Sequence, residues 1–92
     1  MFKDFLQRDI KVGDWFIISN AGRGGTLYAG KVYGFKKNRM YYLRVYANRP
    51  NSVSHTERCN ECVIVSEMDV PSEWAIKAEP DYQAALKKFN NV

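Results

Sequence analysis

His55, Cys59 and Cys62 form the pattern His-x-x-x-Cys-x-x-Cys and account for every histidine and cysteine in the chain. Thiolate and imidazole are ligands that zinc takes in a tetrahedron, and two cysteines three positions apart can converge on one ion. A fourth ligand would have to come from Glu57, Glu61, Asp69 or a second subunit. In the other reading Cys62 opens a buried strand as a small hydrophobe, with Cys59 and His55 in the loop before it. The second reading is adopted, with these three residues kept as weak metal candidates, so no metal and no cofactor is expected. A thioredoxin-like role would need the Cys-x-x-Cys to follow a strand and open a helix, which this one does not do. A Cys59–His55 dyad would need a helical loop to bring the two side chains together. No paired carboxylates sit on a recognisable framework, and the expectation is a binding protein rather than an enzyme.

Two other groups of residues suit binding. Gly22-Arg23-Gly24-Gly25-Thr26 lacks both the spacing and the Lys-Ser/Thr ending of a phosphate-cradling loop, and a strand follows it. It reads as a flexible connection with Arg23 as an exposed anion contact. The interleaving of aromatic and basic residues further along is denser. If Tyr41, Leu43 and Val45 face the core, alternation turns Met40, Tyr42, Arg44 and Tyr46 outward, and the preceding strand offers Lys31, Tyr33 and Phe35 as one set. Rings stack on bases while Arg and Lys hold phosphate, the combination used by single-strand binders. Lys36, Lys37 and Arg39 extend the charge. The same tyrosines would equally serve as a second apolar layer beneath a helix or as a subunit contact, because a slip of one residue exchanges the faces.

Behind these candidates stands one short framework. Ninety-two residues, 46% hydrophobic and 26% charged, make a single domain over 1–92 with a surface polar enough for solubility. No window is long and apolar enough to span a bilayer, and the first residues lack the layout of a signal peptide, so a cytoplasmic location is expected. The net charge of +4 is unevenly placed: residues 1–50 carry ten Lys or Arg against three Asp or Glu, residues 51–92 four against seven. The positive field of the first half attracts phosphates or an acidic protein surface.

Trp15 to Ser19 is a β-rich apolar run, residues 21–25 a loop, and Thr26–Phe35 and Met40–Tyr46 a hairpin around Lys36-Lys37-Asn38-Arg39, with Asn suited to the turn. Residues 49–54 read as a polar loop because of Pro50. Cys62-Val63-Ile64-Val65 reads as a strand buried on both sides that closes the sheet. Val70-Pro71-Ser72-Glu73-Trp74 suits a helical turn with Trp74 and Ile76 inward, and Pro80-Asp81 opens a C-terminal helix with Tyr82, Leu86 and Phe89 on one stripe. Four to five antiparallel strands followed by a helix give a mainly β chain, a half-open barrel over about 10–67 and a helical tail over about 70–90.

The run Lys11-Val12-Gly13-Asp14-Trp15, the segment Leu27-Tyr28-Ala29-Gly30-Lys31-Val32, and Cys62-Val63-Ile64-Val65 followed by Val70-Pro71-Ser72-Glu73-Trp74 resemble small SH3-like barrels of the KOW type. Accessory proteins of tailed bacteriophages are frequently of this appearance. The likeness spans about 10–76 and implies a half-open SH3-like barrel from a viral source, acting in the host cytoplasm. Three partners are expected in descending order. The first is nucleic acid or a nucleic-acid-handling complex, met through Lys31, Tyr33, Lys36, Lys37, Arg39, Tyr42, Arg44, Tyr46 and Arg23. The second is a host enzyme or defence protein, captured by an inhibitor or adaptor. The third is a sequestered nucleotide, with residues 22–25 as a lid. No membrane partner is expected, and a homodimer is the oligomer to consider first.

Overall fold

The computed structural model of the chain describes residues 2–20, 26–46 and 50–91. Five strands form one open antiparallel sheet: β1 (Trp15–Asn20), β2 (Thr26–Lys36), β3 (Arg39–Val45), β4 (Ser52–Thr56) and β5 (Cys62–Val65), in the spatial order β4-β3-β2-β1-β5. A single α-helix, α1 (Ser72–Asn90), follows. Short 3-10 turns at Cys59–Glu61 and Glu67–Asp69 lead into and out of β5. The chain is thus mainly β with a C-terminal helix, an arrangement compatible with a small SH3-like barrel.

Both faces of the sheet are covered, and this governs what strand alternation means here. One face gathers Phe16, Ile18, Val32, Met40, Tyr42 and Cys62 with Ile10 and Cys59. The other gathers Trp15, Tyr33, Leu43 and Val45 beneath Val70, Ala78 and Tyr82, with Trp74, Leu86 and Phe89 packed against them. Alternation in β3 therefore sorts residues between two apolar layers. Rings fix the spacing of each layer. Phe16 and Tyr42 meet edge to face, 4.9 Å between centroids, directly over Gly30, where a Cβ would come within 2.6 Å of the Phe16 ring. On the helix side the Phe89 ring occupies the space of a Cβ at Gly34.

β2 carries a bulge between Val32 and Gly34, opposite Tyr42 and Tyr41. Its extra residue puts Tyr33 and Gly34 both toward the helix and returns Phe35 to the opposite layer, where it stacks on Phe2 at 4.7 Å. The turn joining β2 to β3 is two residues long, and Lys37, not Asn38, takes the positive φ of 58°.

Three expectations are corrected. Residues 52–56 form the edge strand β4, because Pro50 precedes the ladder without interrupting it. β5 pairs with β1 alone and does not close the sheet; only Cys62 within it is fully buried. Pro80 lies inside α1 rather than at its start. It faces solvent one turn beyond Ile76, which is 74% exposed and not inward, so the carbonyl that Pro80 leaves unbonded looks toward water.

Residues 2–10 fold back beside β5. Lys3 bridges to Asp9, and Asp4 is wholly buried between them. The Asp4 carboxylate accepts from the backbone N–H groups of Leu6 (3.0 Å), Arg8 (2.9 Å) and Ile64 (3.0 Å) and from the Arg8 guanidinium at 2.9 and 3.1 Å. Arg8 in turn donates to the Ile64 carbonyl at 2.7 Å, and the Phe5 N–H to that of Cys62 at 2.7 Å. Burial alone would push the Asp4 pKa up. The bonds from Ile64 and Arg8 and the Arg8 charge outweigh it and hold the carboxyl below its ordinary value.

Candidate functional site

The residues expected to form one stacking surface are divided by the sheet. Val32 pairs with Tyr42 and Lys31 with Leu43, so Lys31 and Tyr33 lie on the helix side while Met40, Tyr42 and Arg44 lie on the other. Tyr42 is 2% exposed and Tyr33 8%. Neither ring is offered to a ligand. The physical cause is that both sheet faces are packed, so turning away from one core turns a side chain into the other. The sequence does carry the sign of it: β2 and β3 are apolar at both parities, as strands buried on both faces are.

Two cations of the set are held against aromatic faces. The Lys31 ammonium stands 4.3 Å from the Tyr82 ring centroid and 5.7 Å from that of Trp15, beneath α1. The Tyr82 hydroxyl itself donates to the Val32 carbonyl at 2.7 Å, fixing the ring that Lys31 covers. The Arg44 guanidinium lies over Tyr28, 4.4 Å from its centroid, and donates to the Tyr46 hydroxyl at 3.3 Å. Tyr28 and Tyr46 meet edge to face at 5.7 Å. This Arg44–Tyr28–Tyr46 cluster is the part of the expected surface that the fold does bring together.

The remaining cations are at the β2–β3 tip. Lys36, Lys37 and Arg39 are exposed. Arg39 pairs with Glu57 at 3.5 Å, both side chains largely in solvent, whereas Lys36 and Lys37 have no acidic partner among the described residues. The Phe89 ring, set on Gly34 and against Tyr33 and Tyr41, brings the last turn of α1, which carries Lys87 and Lys88, toward this end of the sheet, with Lys88 bordering the groove beside Val53. Sequence reasoning placed the three tip residues correctly and did not connect the helix end to them. The glycine that admits Phe89 was the available signal.

The metal candidates do not converge. His55 pairs with Tyr41 across β3–β4, with rings 5.5 Å apart on the helix side. Cys59 and Cys62 are buried in the opposite layer. Cys62 Sγ donates to the Cys59 carbonyl at 3.0 Å, and Cys59 Sγ approaches Met40 Sδ at 3.9 Å. Burial, then the neighbouring Cys59 and Asp4, push the Cys62 thiol up to about 12, and burial also raises Cys59. Such thiols are poor nucleophiles and poor ligands at neutral pH. Among the described residues no three of His, Cys, Asp and Glu cluster as a metal site would require. Arg23 and the loop of residues 21–25, read as an anion contact and lid, lie outside the described residues. Among the described residues no helix is long and apolar enough to cross a membrane.

No curated protein and no solved structure matches the chain. One family does, over residues 2–66, which takes in the N-terminal clasp on Asp4 and all five strands but not α1. That span is 65 of the 92 residues, and the chain therefore belongs to the family DUF7205, a domain of unknown function.

Proposed function

We propose that the protein is a non-catalytic binding module that meets nucleic-acid phosphates with the basic tip of its β2–β3 hairpin. The observation that carries this reading is the pairing state of the cations. Lys31 and Arg44 are occupied by aromatic rings, while Lys36 and Lys37 stand exposed beside Arg39 without an acidic partner among the described residues. Uncommitted ammonium groups on a short turn suit phosphate oxygens, and neutralising phosphates releases counterions, so such binding weakens steeply with salt. Base stacking by Tyr42 or Tyr33 is no part of it. Contact is therefore expected to depend little on sequence. Viral origin and a place in host takeover remain within the same proposal, on the likeness to phage accessory proteins.

The test is binding of fluorescent single- and double-stranded DNA and RNA at two salt concentrations. The proposal expects affinity that falls at least about tenfold between 50 and 200 mM salt, as three or more phosphate contacts produce. Absence of binding at the lower salt would refute it. A second reading, an adaptor that captures a protein, draws on Met68 and Ile76, 93% and 74% exposed, which share one surface groove with Val70, Pro71 and Ala75. It expects one dominant partner from lysate that survives nuclease treatment.

A further inference from the structure

The sheet has two outer edges, and the chain treats them differently. Along β5 the Cys62 carbonyl, the Ile64 N–H and the Ile64 carbonyl are bonded by Phe5, Asp4 and Arg8. Along β4 no backbone group other than those of β3 bonds to Ser52–Thr56 among the described residues. β4 pairs with β3 through five consecutive residues without a bulge, and its sequence Ser-Val-Ser-His-Thr holds no lysine, proline or glycine. A bulge, a lysine or a proline is among the devices by which a solvent-facing edge is usually blunted against pairing.

The surface beside this edge has a distribution of charge suited to one particular occupant. Val53, 61% exposed, borders a groove with Leu43, Ala84 and Ala85, and the groove is flanked by Asp81 and Lys88. Seven residues separate that acid and that base on α1, two helical turns, so they share a face roughly 10 Å apart along the axis. Asp81 is bonded by the neutral Asn51 amide at 2.9 Å, and Lys88 has no acidic partner among the described residues. A two-fold axis across the groove reverses this order in the second copy and sets each Asp81 toward the other copy's Lys88. Antiparallel pairing of a strand with its own copy obeys the same symmetry.

We infer that the β4 edge is a homodimer interface, in which β4 pairs with β4 of a second copy, Val53 is buried near the axis and Asp81 and Lys88 form two intermolecular ion pairs. The inference does not rest on the proposed nucleic-acid contact: that contact is carried by Lys36 and Lys37 at the hairpin tip, and Val53→Lys tests the edge without touching them.

Sedimentation velocity of the full chain, from roughly 1 to 200 μM where weak dimers of this class dissociate, tests it. The wild type is expected to shift from monomer to dimer with concentration. Lys88→Asp, which leaves the Asn51–Asp81 bond in place, should weaken association at least about tenfold. The double exchange Lys88→Asp/Asp81→Lys should recover most of it, and Val53→Lys should abolish it, with far-UV circular dichroism showing each variant folded. A wild type that stays monomeric throughout overturns the inference. So does a dimer indifferent to Val53→Lys and Lys88→Asp, or a double exchange no tighter than the single one.

Discussion

Lys31 and Arg44 lie in the middle of the β2–β3 hairpin, and Lys36, Lys37 and Arg39 lie at its tip. In sequence the two groups look alike, each a cation among tyrosines. In the structure the first group is built into the fold: Lys31 is sandwiched between Tyr82 and Trp15 beneath α1, and Arg44 lies flat on Tyr28. In the second group Lys36 and Lys37 face water with no acidic partner among the described residues, and Arg39 pairs with Glu57 in solvent. A cation over a ring in a half-buried setting contributes about 1 kcal/mol to stability, whereas an exposed one contributes almost nothing and keeps its charge for a partner. The middle cations are taken up in packing, Lys31 beneath α1 and Arg44 on the opposite layer, whereas the tip lysines are left in solvent, where the proposed phosphate contact would use them.

Arg8 is a third structural cation, paired with a buried carboxylate rather than a ring, and removing that carboxylate should have the largest effect. Asp4→Ala leaves three backbone N–H groups and a guanidinium without their acceptor and is expected to cost about 3 kcal/mol in denaturant unfolding. Because the folded-state pKa of Asp4 is lowered, its stabilising contribution is complete above the unfolded-state value. It fades from about pH 5 downward, as pH falls through the folded-state value. Asp4→Asn should flatten that part of the acid unfolding curve; an unchanged curve would mean that other carboxylates set it.

Next comes the joint that carries the helix to the tip. Gly34→Val drives a side chain into the Phe89 ring and should destabilise by about 1–3 kcal/mol. Far-UV circular dichroism and the unfolding midpoint should report the loss of helix docking. Lys31→Ala should cost about 1 kcal/mol and Lys31→Met less, because the apolar stem under α1 is kept. Equal losses for the two would remove the cation–ring contact from the account. Smallest in stability but sharp in chemistry, Cys59 and Cys62 should stay unreactive toward a thiol reagent at neutral pH until the chain unfolds, as both thiols are buried and raised.

Much of the fold was legible because local chemistry and tertiary structure agree. The apolar runs from Trp15 and at 62–65, the hairpin of β2 and β3 and the stripe of Tyr82, Leu86 and Phe89 appear where pattern places them, while the turn is tighter than its chemistry suggested, with Lys37 rather than Asn38 left-handed. What failed was the assignment of faces. Period-two reasoning takes one face as wet, and here α1 covers one face while residues 2–10 and the Cys59 turn help to cover the other, so Met40 and Tyr42 are as buried as Leu43. The bulge after Val32 then shifted Phe35 by one parity, which no periodicity can announce. Asp4 was missed because nothing local marks an acid for burial; its partners are two, four and sixty residues away, and the last of these comes from tertiary structure. Of the expected residues, Lys36, Lys37 and Arg39 lie in solvent because they form or flank the turn at the free end of the hairpin.

The central proposal is that charge at the tip meets phosphate while Lys31, beneath the helix, stabilises the fold. Its most direct test is one titration of a fluorescent single-stranded oligonucleotide at low salt, with wild type, Lys36→Gln/Lys37→Gln and Lys31→Gln compared alongside their thermal melts. The account predicts that the tip variant loses most of the affinity with an unchanged melt, while Lys31→Gln binds like the wild type and melts lower. Wild-type affinity in the tip variant, or lost affinity in folded Lys31→Gln, would contradict it.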